Sequence, residues 1–407
     1  MTMLHFRGAF RLLYPVRVLV VGLAAAQAVA TAVVWRSNHA LFEKLSALAR
    51  AGYTHLPGMN IDPSLTSFEA AFSGGVFFTA SLGAGIVLLS LGAVVLVQSF
   101  RTKGVRIALI LLLIALWAAA VVWANAGGIR LDVSAFLLIL PPVTLAAALA
   151  WSPYRHDRRR LPWRKTWHLI FILVLLAIWA PRIDSNLFVN IKDNLMLTTD
   201  PGIGMVHLYY KYTLYPAEVF KPLAGKQVKT FALGDMDPAT AAGLEKILNH
   251  YNYYAVQDPG LADLVIRGPV RAVELSRNGK PVMTVPAADF HQKSQEVLGA
   301  FSKRTDNARA FRSLTLWTLV WVAPLVIYLF VFAVFCLVPG LLLDLRVSSV
   351  AVPLLCCLFF AFVVLDWLDT PAVEVEDRRA VAQMLQSGTR REKIAALRYV
   401  YDNRLEI

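Results

Sequence analysis

Charge is scarce in this sequence. Asp, Glu, Lys and Arg make up 16% of its 407 residues and hydrophobic residues 57%, whereas a soluble domain carries roughly 25% charged residues. A soluble globule is excluded, and a membrane protein is indicated. Cysteine is scarcer still. Cys336, Cys356 and Cys357 are the whole complement, all in apolar runs and none joined by His or carboxylates at metal-ligand spacing, which marks them as packing residues. The interiors of the apolar runs lack carboxylates and lysines, and intramembrane charge is what a proton relay or ion site needs. An ion-coupled transporter is therefore disfavoured. Also missing are the serine elbow Gly-x-Ser-x-Gly, the zinc pair His-Glu-x-x-His and the phosphate loop Gly-x-x-x-x-Gly-Lys-Ser/Thr, so no motif names a reaction. No cofactor is expected.

What the chain has is apolar length. Seven runs approach the ~20 residues of a helical crossing, near 16–35, 71–99, 107–124, 133–151, 163–181, 314–342 and 348–368. Their connections differ in charge. Arg7, Arg11 and Arg17 precede the first run, and Arg101, Lys103 and Arg106 join the second to the third. Arg155, Arg158, Arg159, Arg160, Arg164 and Lys165 join the fourth to the fifth, with Asp157 the lone acid among all these cations. Connections that collect Lys and Arg are cytoplasmic, so the net charge of +13 reports orientation and not a nucleic-acid partner. It places the N-terminus inside, the large polar insert outside and, after seven crossings, the C-terminus outside. The 155–165 cluster also suits anionic lipid at the bilayer surface. Ala28-Val29-Ala30 resembles a signal-peptidase site, but the run stays apolar to Trp35 and reads as an uncleaved anchor.

The expected organisation is thus a membrane region over 1–181 with five crossings, an extracytoplasmic domain over 182–312, two further crossings over 313–368 and a helical tail over 369–407. In the second run Ala71, Gly75, Thr79 and Gly83 recur every four residues. Such a strip lets another helix approach closely, from the same chain or from a second copy. Pro141-Pro142, Pro324, Pro339 and Pro353 fit either the broken helices of a transporter or helices that merely bend. Between the first two runs the sequence predicts an outside loop from Arg36 to about Glu69, with a short amphipathic helix at 40–45.

Within the insert, 184–220 reads as helical, with Asp184 or Ser185 as one cap and Asp200-Pro201 as a second start. Strands are expected at 227–233, 253–257, 262–267, 270–276 and 280–285, with a helix from Asp237-Pro238 to about Tyr251 and another from about Asp289. Asn278-Gly279 is a hairpin signal. The element order is similar in outline to the ferredoxin-like sandwiches, which implies a small two-layer α/β domain. In the tail, Arg391-Glu392-Lys393-Ile394-Ala395-Ala396-Leu397-Arg398 resembles the second helix of a HEAT-type repeat. Such units are stable by stacking, so the tail is expected to dock.

Candidate site residues are few. Tyr209, Tyr210, Tyr212 and Tyr215, with Tyr251, Tyr253 and Tyr254, are seven of thirteen tyrosines. Tyrosine favours both protein interfaces and ordinary cores. Asp235-x-Asp237 at a strand end is the strongest catalytic candidate, a carboxylate pair that suits a divalent cation. With Thr240 it resembles the nucleophile motif of haloacid-dehalogenase-type phosphatases, although the threonine stands one position late and no later element fits. Asp before Pro at a helix start is also a plain N-cap. Asp263 reads as the start of a strand, and His207, His250 and His291 stand isolated. The expectation is an inner-membrane scaffold or accessory subunit whose periplasmic domain binds an envelope protein or a second copy. The alternatives are a permease-like transporter of a small or lipidic substrate, and a membrane-embedded metal-dependent transferase or hydrolase.

Overall fold

The first helix does not stop where its apolar run stops. The computed structural model describes residues 2–53, 63–100, 102–151, 164–184, 187–268, 272–337, 354–365 and 378–402. In it α1 runs unbroken from Thr2 to Arg50, where the sequence reading predicts a loop after Trp35. The reason is local. No Gly or Pro falls between Arg36 and Ala51, and Leu41, Leu45 and Leu48 recur at helical spacing on a face that is buried.

Next come α2 (Phe68–Phe78), capped by the Ser67 hydroxyl accepting from Ala70 N, a π-helical turn at Thr79–Gly83, α3 (Ala84–Ser99), α4 (Lys103–Ala124) and α5 (Leu131–Ala150). Pro141 and Pro142 lie inside α5 without ending it. Then follow α6 (Arg164–Trp179), α7 (Leu187–Asn190), α8 (Asp200–Leu208) and α9 (Leu214–Phe220). The cap of α8 is Thr199, whose hydroxyl accepts from Gly202 N, and Asp200 sits in the first turn. Among the described residues, four stretches are long and apolar enough to cross a membrane: Arg17–Arg50, Phe68–Gln98, Lys103–Ala124 and Leu131–Ala150. Ile170–Arg182 and Leu187–Asn194 pass that test only as a pair, bent by 100°. Parts of the expected sixth and seventh runs, 338–353 and 366–368, lie outside the described residues.

The α/β portion contains β1 (Lys229–Leu233), α10 (Pro238–His250), β2 (Tyr253–Ala255), β3 (Leu264–Arg267), β4 (Ala272–Arg277) and β5 (Lys280–Pro286). After these come α11 (Ala287–Gln292), α12 (Ser294–Arg304) and α13 (Arg309–Leu337). The sheet order is β2-β1-β3-β4-β5. β1 pairs in parallel with β2 and β3, and β4 runs antiparallel to β3 and β5. The ferredoxin-like outline is corrected here, because a split βαβ separates its parallel strands whereas β1 and β2 are direct neighbours. Asp263 is one cause. Its backbone N–H donates to Thr230 O at 2.9 Å and its carboxylate accepts from Thr230 N at 3.1 Å, which pins the start of β3 to the other edge of β1. The hairpin is as its sequence predicts. Asn278 and Gly279 have φ of 50° and 74°, the pair of positive values that a type I′ turn requires.

The chain divides into two compact units, Met1–Ser152 with Lys211–Leu316, and Pro153–Tyr210 with Trp317–Ile407. In the first unit the sheet is covered on both faces. Phe231, Leu264 and Ile266 pack with Leu244 and Leu248 of α10 and Phe301 of α12, while Ala232 and Val265 pack with Leu41, Leu45 and Leu48 of α1. Alternate residues of each strand serve opposite faces, as the two-residue period dictates. In the second unit Trp179 donates to Val320 O at 3.0 Å and packs with Cys356, Cys357 and Phe360. The tail forms two helices, Arg378–Ser387 and Arg390–Asp402. Arg390 of the second pairs with Asp200 at 2.7 Å, and Arg398 donates to Asn190 at 3.2 Å.

Candidate functional site

The most polar point of the first unit's interior is Asp263, 5% exposed. Lys44 of α1 donates to its Oδ2 at 2.7 Å, and Lys226 lies 3.5 Å from Oδ1. The Thr230 hydroxyl accepts from Asp263 N at 3.0 Å. Burial by itself would raise the carboxyl, but Lys44, Lys226 and the hydrogen bonds outweigh it and hold the pKa at about 2. Lys226 moves the other way. Its burial pushes the ammonium below the ordinary lysine value in spite of Asp263. Lys44, at the shorter distance, is therefore the stabilising partner, and Lys226 carries the desolvation cost. This ion group ties α1 to the sheet.

Two more joints fasten the α/β portion to the long apolar helices. Phe220, at the end of α9, stacks on Phe311 of α13 at 4.3 Å, and Phe78 lies 5.8 and 5.5 Å from these two rings. Phe136 of α5 is 6.4 Å from Phe311. Beside them Arg312 donates to Phe220 O at 2.6 Å and to Asp306 at 2.9 and 2.6 Å. The hydrogen bonds from Arg312 hold the Asp306 carboxyl below its ordinary value. At the third joint Arg130, which is paired with Asp132, donates to Asn307 Oδ1 at 2.6 Å.

The seven tyrosines separate by environment. Tyr253 is buried, and burial raises its hydroxyl pKa. Tyr251 packs in the same core. Tyr215 and Tyr254 pack on the α1 side of the sheet, where Tyr254 meets Tyr53 edge-on at 5.4 Å. Tyr212 donates to Glu69 at 3.2 Å. Only Tyr209 and Tyr210 stand outside these clusters, in the second unit, where Met205, Leu208, Tyr209 and Tyr210 are all exposed.

Asp237 is the N-cap of α10, its Oδ1 accepting from Thr240 N at 2.9 Å. Hydrogen bonds from Thr240, from its side chain first and then from its backbone N–H, lower the Asp237 pKa. Asp235 is exposed. Among the described residues no three His, Cys, Asp or Glu side chains gather as a metal site would need. His291, with Thr240 and Arg267, lines a cavity of about 280 Å³ at the start of α10. His250 lies edge-on to Tyr251, and His207 is exposed on α8.

Glycines of the second run lie against α1. A Cβ on Gly75 would meet Thr31 N at 3.0 Å, and one on Gly83 the Ala26 Cβ at 2.7 Å. Between them Thr79 donates to Gln27 Oε1 at 2.8 Å. Arg155, Arg158, Arg159 and Arg160 lie outside the described residues, and Arg164 and Lys165 open α6.

Comparison with protein-family models, with curated proteins and with solved structures gives no match. Sequence reasoning missed Lys44, Lys226 and Thr230. The available signal was Asp263 itself, an ionisable residue inside the apolar stretch from Leu261 to Ile266.

Proposed function

We propose that this protein is an integral scaffold or accessory subunit of a bacterial-type inner membrane, which presents an extracytoplasmic surface to an envelope protein or to a second copy within an assembly or transport complex. One observation carries this reading. Met205, Leu208 and Tyr210 are 60%, 44% and 52% exposed within six residues of chain, in a segment outside the four apolar stretches, and exposed clusters of aromatic and large apolar residues mark interaction surfaces. A photo-crosslinking residue at Tyr210 should give one discrete protein adduct in cells, weakened by Met205→Ser with Leu208→Ser. A crosslinker at Glu245, exposed on α10, should give none. Adducts of equal yield at both positions would sink the proposal.

Orientation follows from the basic connections and gains support from contacts within each unit. Asn307 touches Arg130 between α4 and α5, and Asp263 touches Lys44 beyond the apolar part of α1. The α/β portion therefore shares a membrane side with those two segments, while α5 ends at the opposite side. The chain must then cross once more between 151 and 211, and α6 is the apolar helix available. Arg390 reaches Asp200 and Arg398 reaches Asn190, which supports a tail returned to that same side by two further crossings. With the N-terminus inside, that makes seven. Membrane-impermeant thiol labelling should find a cysteine at 160 protected and cysteines at 245 and 395 reactive. Protection at 395 would remove one crossing.

A further inference from the structure

A groove of about 810 Å³ runs between α1 and α5 in the first unit. Ala28 and Ala32 line it on α1, Ala135 and Ile139 on α5, and Arg36 and Arg130 stand toward one end, with Ser37 and Ala40 continuing the α1 wall by a further turn. Its volume is that of a small-molecule site, yet its chemistry is divided along its length. From Ala25 to Arg36 there are eleven helical steps, about 16 Å of rise. Half of a bilayer core is about 15 Å. Trp35, 40% exposed and 4.6 Å from His39, marks the headgroup level, where indole is favoured. The small-residue walls thus lie at acyl-chain depth within one leaflet and the arginines at phosphate depth.

The two arginines differ. Arg130 is neutralised by Asp132 and bonded to Asn307. Arg36 is exposed and has neither an ion-pair nor a hydrogen-bond partner among the described residues. A planar guanidinium suits a phosphate better than a neutral headgroup. At the same end Ile129 and Leu131 are 87% and 62% exposed, an apolar rim that water would cover poorly. A free anion would satisfy Arg36 but leave the apolar length empty, and a neutral lipid would do the reverse.

We infer that this groove holds one anionic phospholipid, an acyl chain lying between α1 and α5 and the phosphate resting on Arg36. The test uses the full chain in phosphatidylcholine nanodiscs containing a small fraction of photoreactive lipid, with a diazirine in the acyl chain and either a phosphatidylglycerol or a phosphatidylcholine headgroup. The glycerol probe should label peptides covering 25–33 and 131–139 in excess of the choline probe. Arg36→Gln should cut the glycerol label about fivefold, the factor associated with one cation at an anionic surface, and leave the choline label unchanged. Ala32→Trp, which fills the groove from an exposed position, should remove both labels from these peptides. Equal labelling of the unsubstituted chain by the two probes, meaning annular lipid only, overturns the inference. So does a glycerol label that Arg36→Gln leaves intact. Both substituted side chains are exposed, and were Ala32→Trp to misfold, Arg36→Gln alone decides.

Discussion

Asp263→Asn is expected to destabilise the full chain by about 3–5 kcal/mol, the cost of leaving a buried charge without its partner. The amide still fills the space and still accepts from Thr230 N. What it cannot do is balance Lys44 and Lys226, whose side chains are 17% and 10% exposed. Lys226→Met should behave differently and be close to neutral, because burial already opposes its charge. The pH dependence has a definite sign. Asp263 titrates at about 2 in the folded chain, below its unfolded value near 3.9, so its contribution is present above pH ~4 and is lost as pH falls toward 2. Thermal unfolding in detergent, followed by circular dichroism between pH 7 and pH 2.5, measures both effects. If Asp263→Asn melted with the parent chain and kept its acid slope, the ion group would be no joint at all.

The second large effect is expected at the aromatic joint. Phe311 is buried against Phe78, Phe136 and Phe220, and replacing such a ring by Ala costs about 3–5 kcal/mol. Because its contacts belong to three other helices, α2, α5 and α9, Phe311→Ala should also loosen the α/β portion from the long apolar helices. Limited proteolysis of the full chain should then cut between Thr305 and Ala308, the turn that joins α12 to α13. Phe311→Leu retains most of the buried volume and should lose less. Cleavage at parental rates in Phe311→Ala would show that the other two joints suffice.

What could be read from the sequence was local. Asn278-Gly279 announces a hairpin because both residues tolerate positive φ, and Asp237-Pro238 announces a helix start because carboxylate and ring each solve a problem of its first turn. Apolar length marked the four candidate crossings in the same way. What was hidden was distant. Lys44 and Asp263 are 219 residues apart, so nothing near either residue signals the pair. The pairing of β3 with β1 depends on Thr230 meeting Asp263, and without that contact the five strands admit several orders. The continuation of α1 was hidden for another reason. Its outer part mixes Glu43 and Lys44 with Leu41, Leu45 and Leu48, and such a face is stable only against a sheet that hydropathy does not reveal. The tyrosines illustrate the same limit, since exposed Tyr210 and buried Tyr253 look alike in composition.

The uninterrupted course of α1 also has a mechanical meaning. A helix with no hinge between Val18 and Leu48 behaves as a lever roughly 45 Å long. Rotating it by about 10° about its inner end carries Leu48 sideways by roughly 8 Å, far more than the sheet packed on Leu41, Leu45 and Leu48 can absorb without moving as a body. Helix tilt responds to the match between apolar length and bilayer thickness. A change of tilt in α1 would therefore be carried to the sheet that packs on Leu41, Leu45 and Leu48.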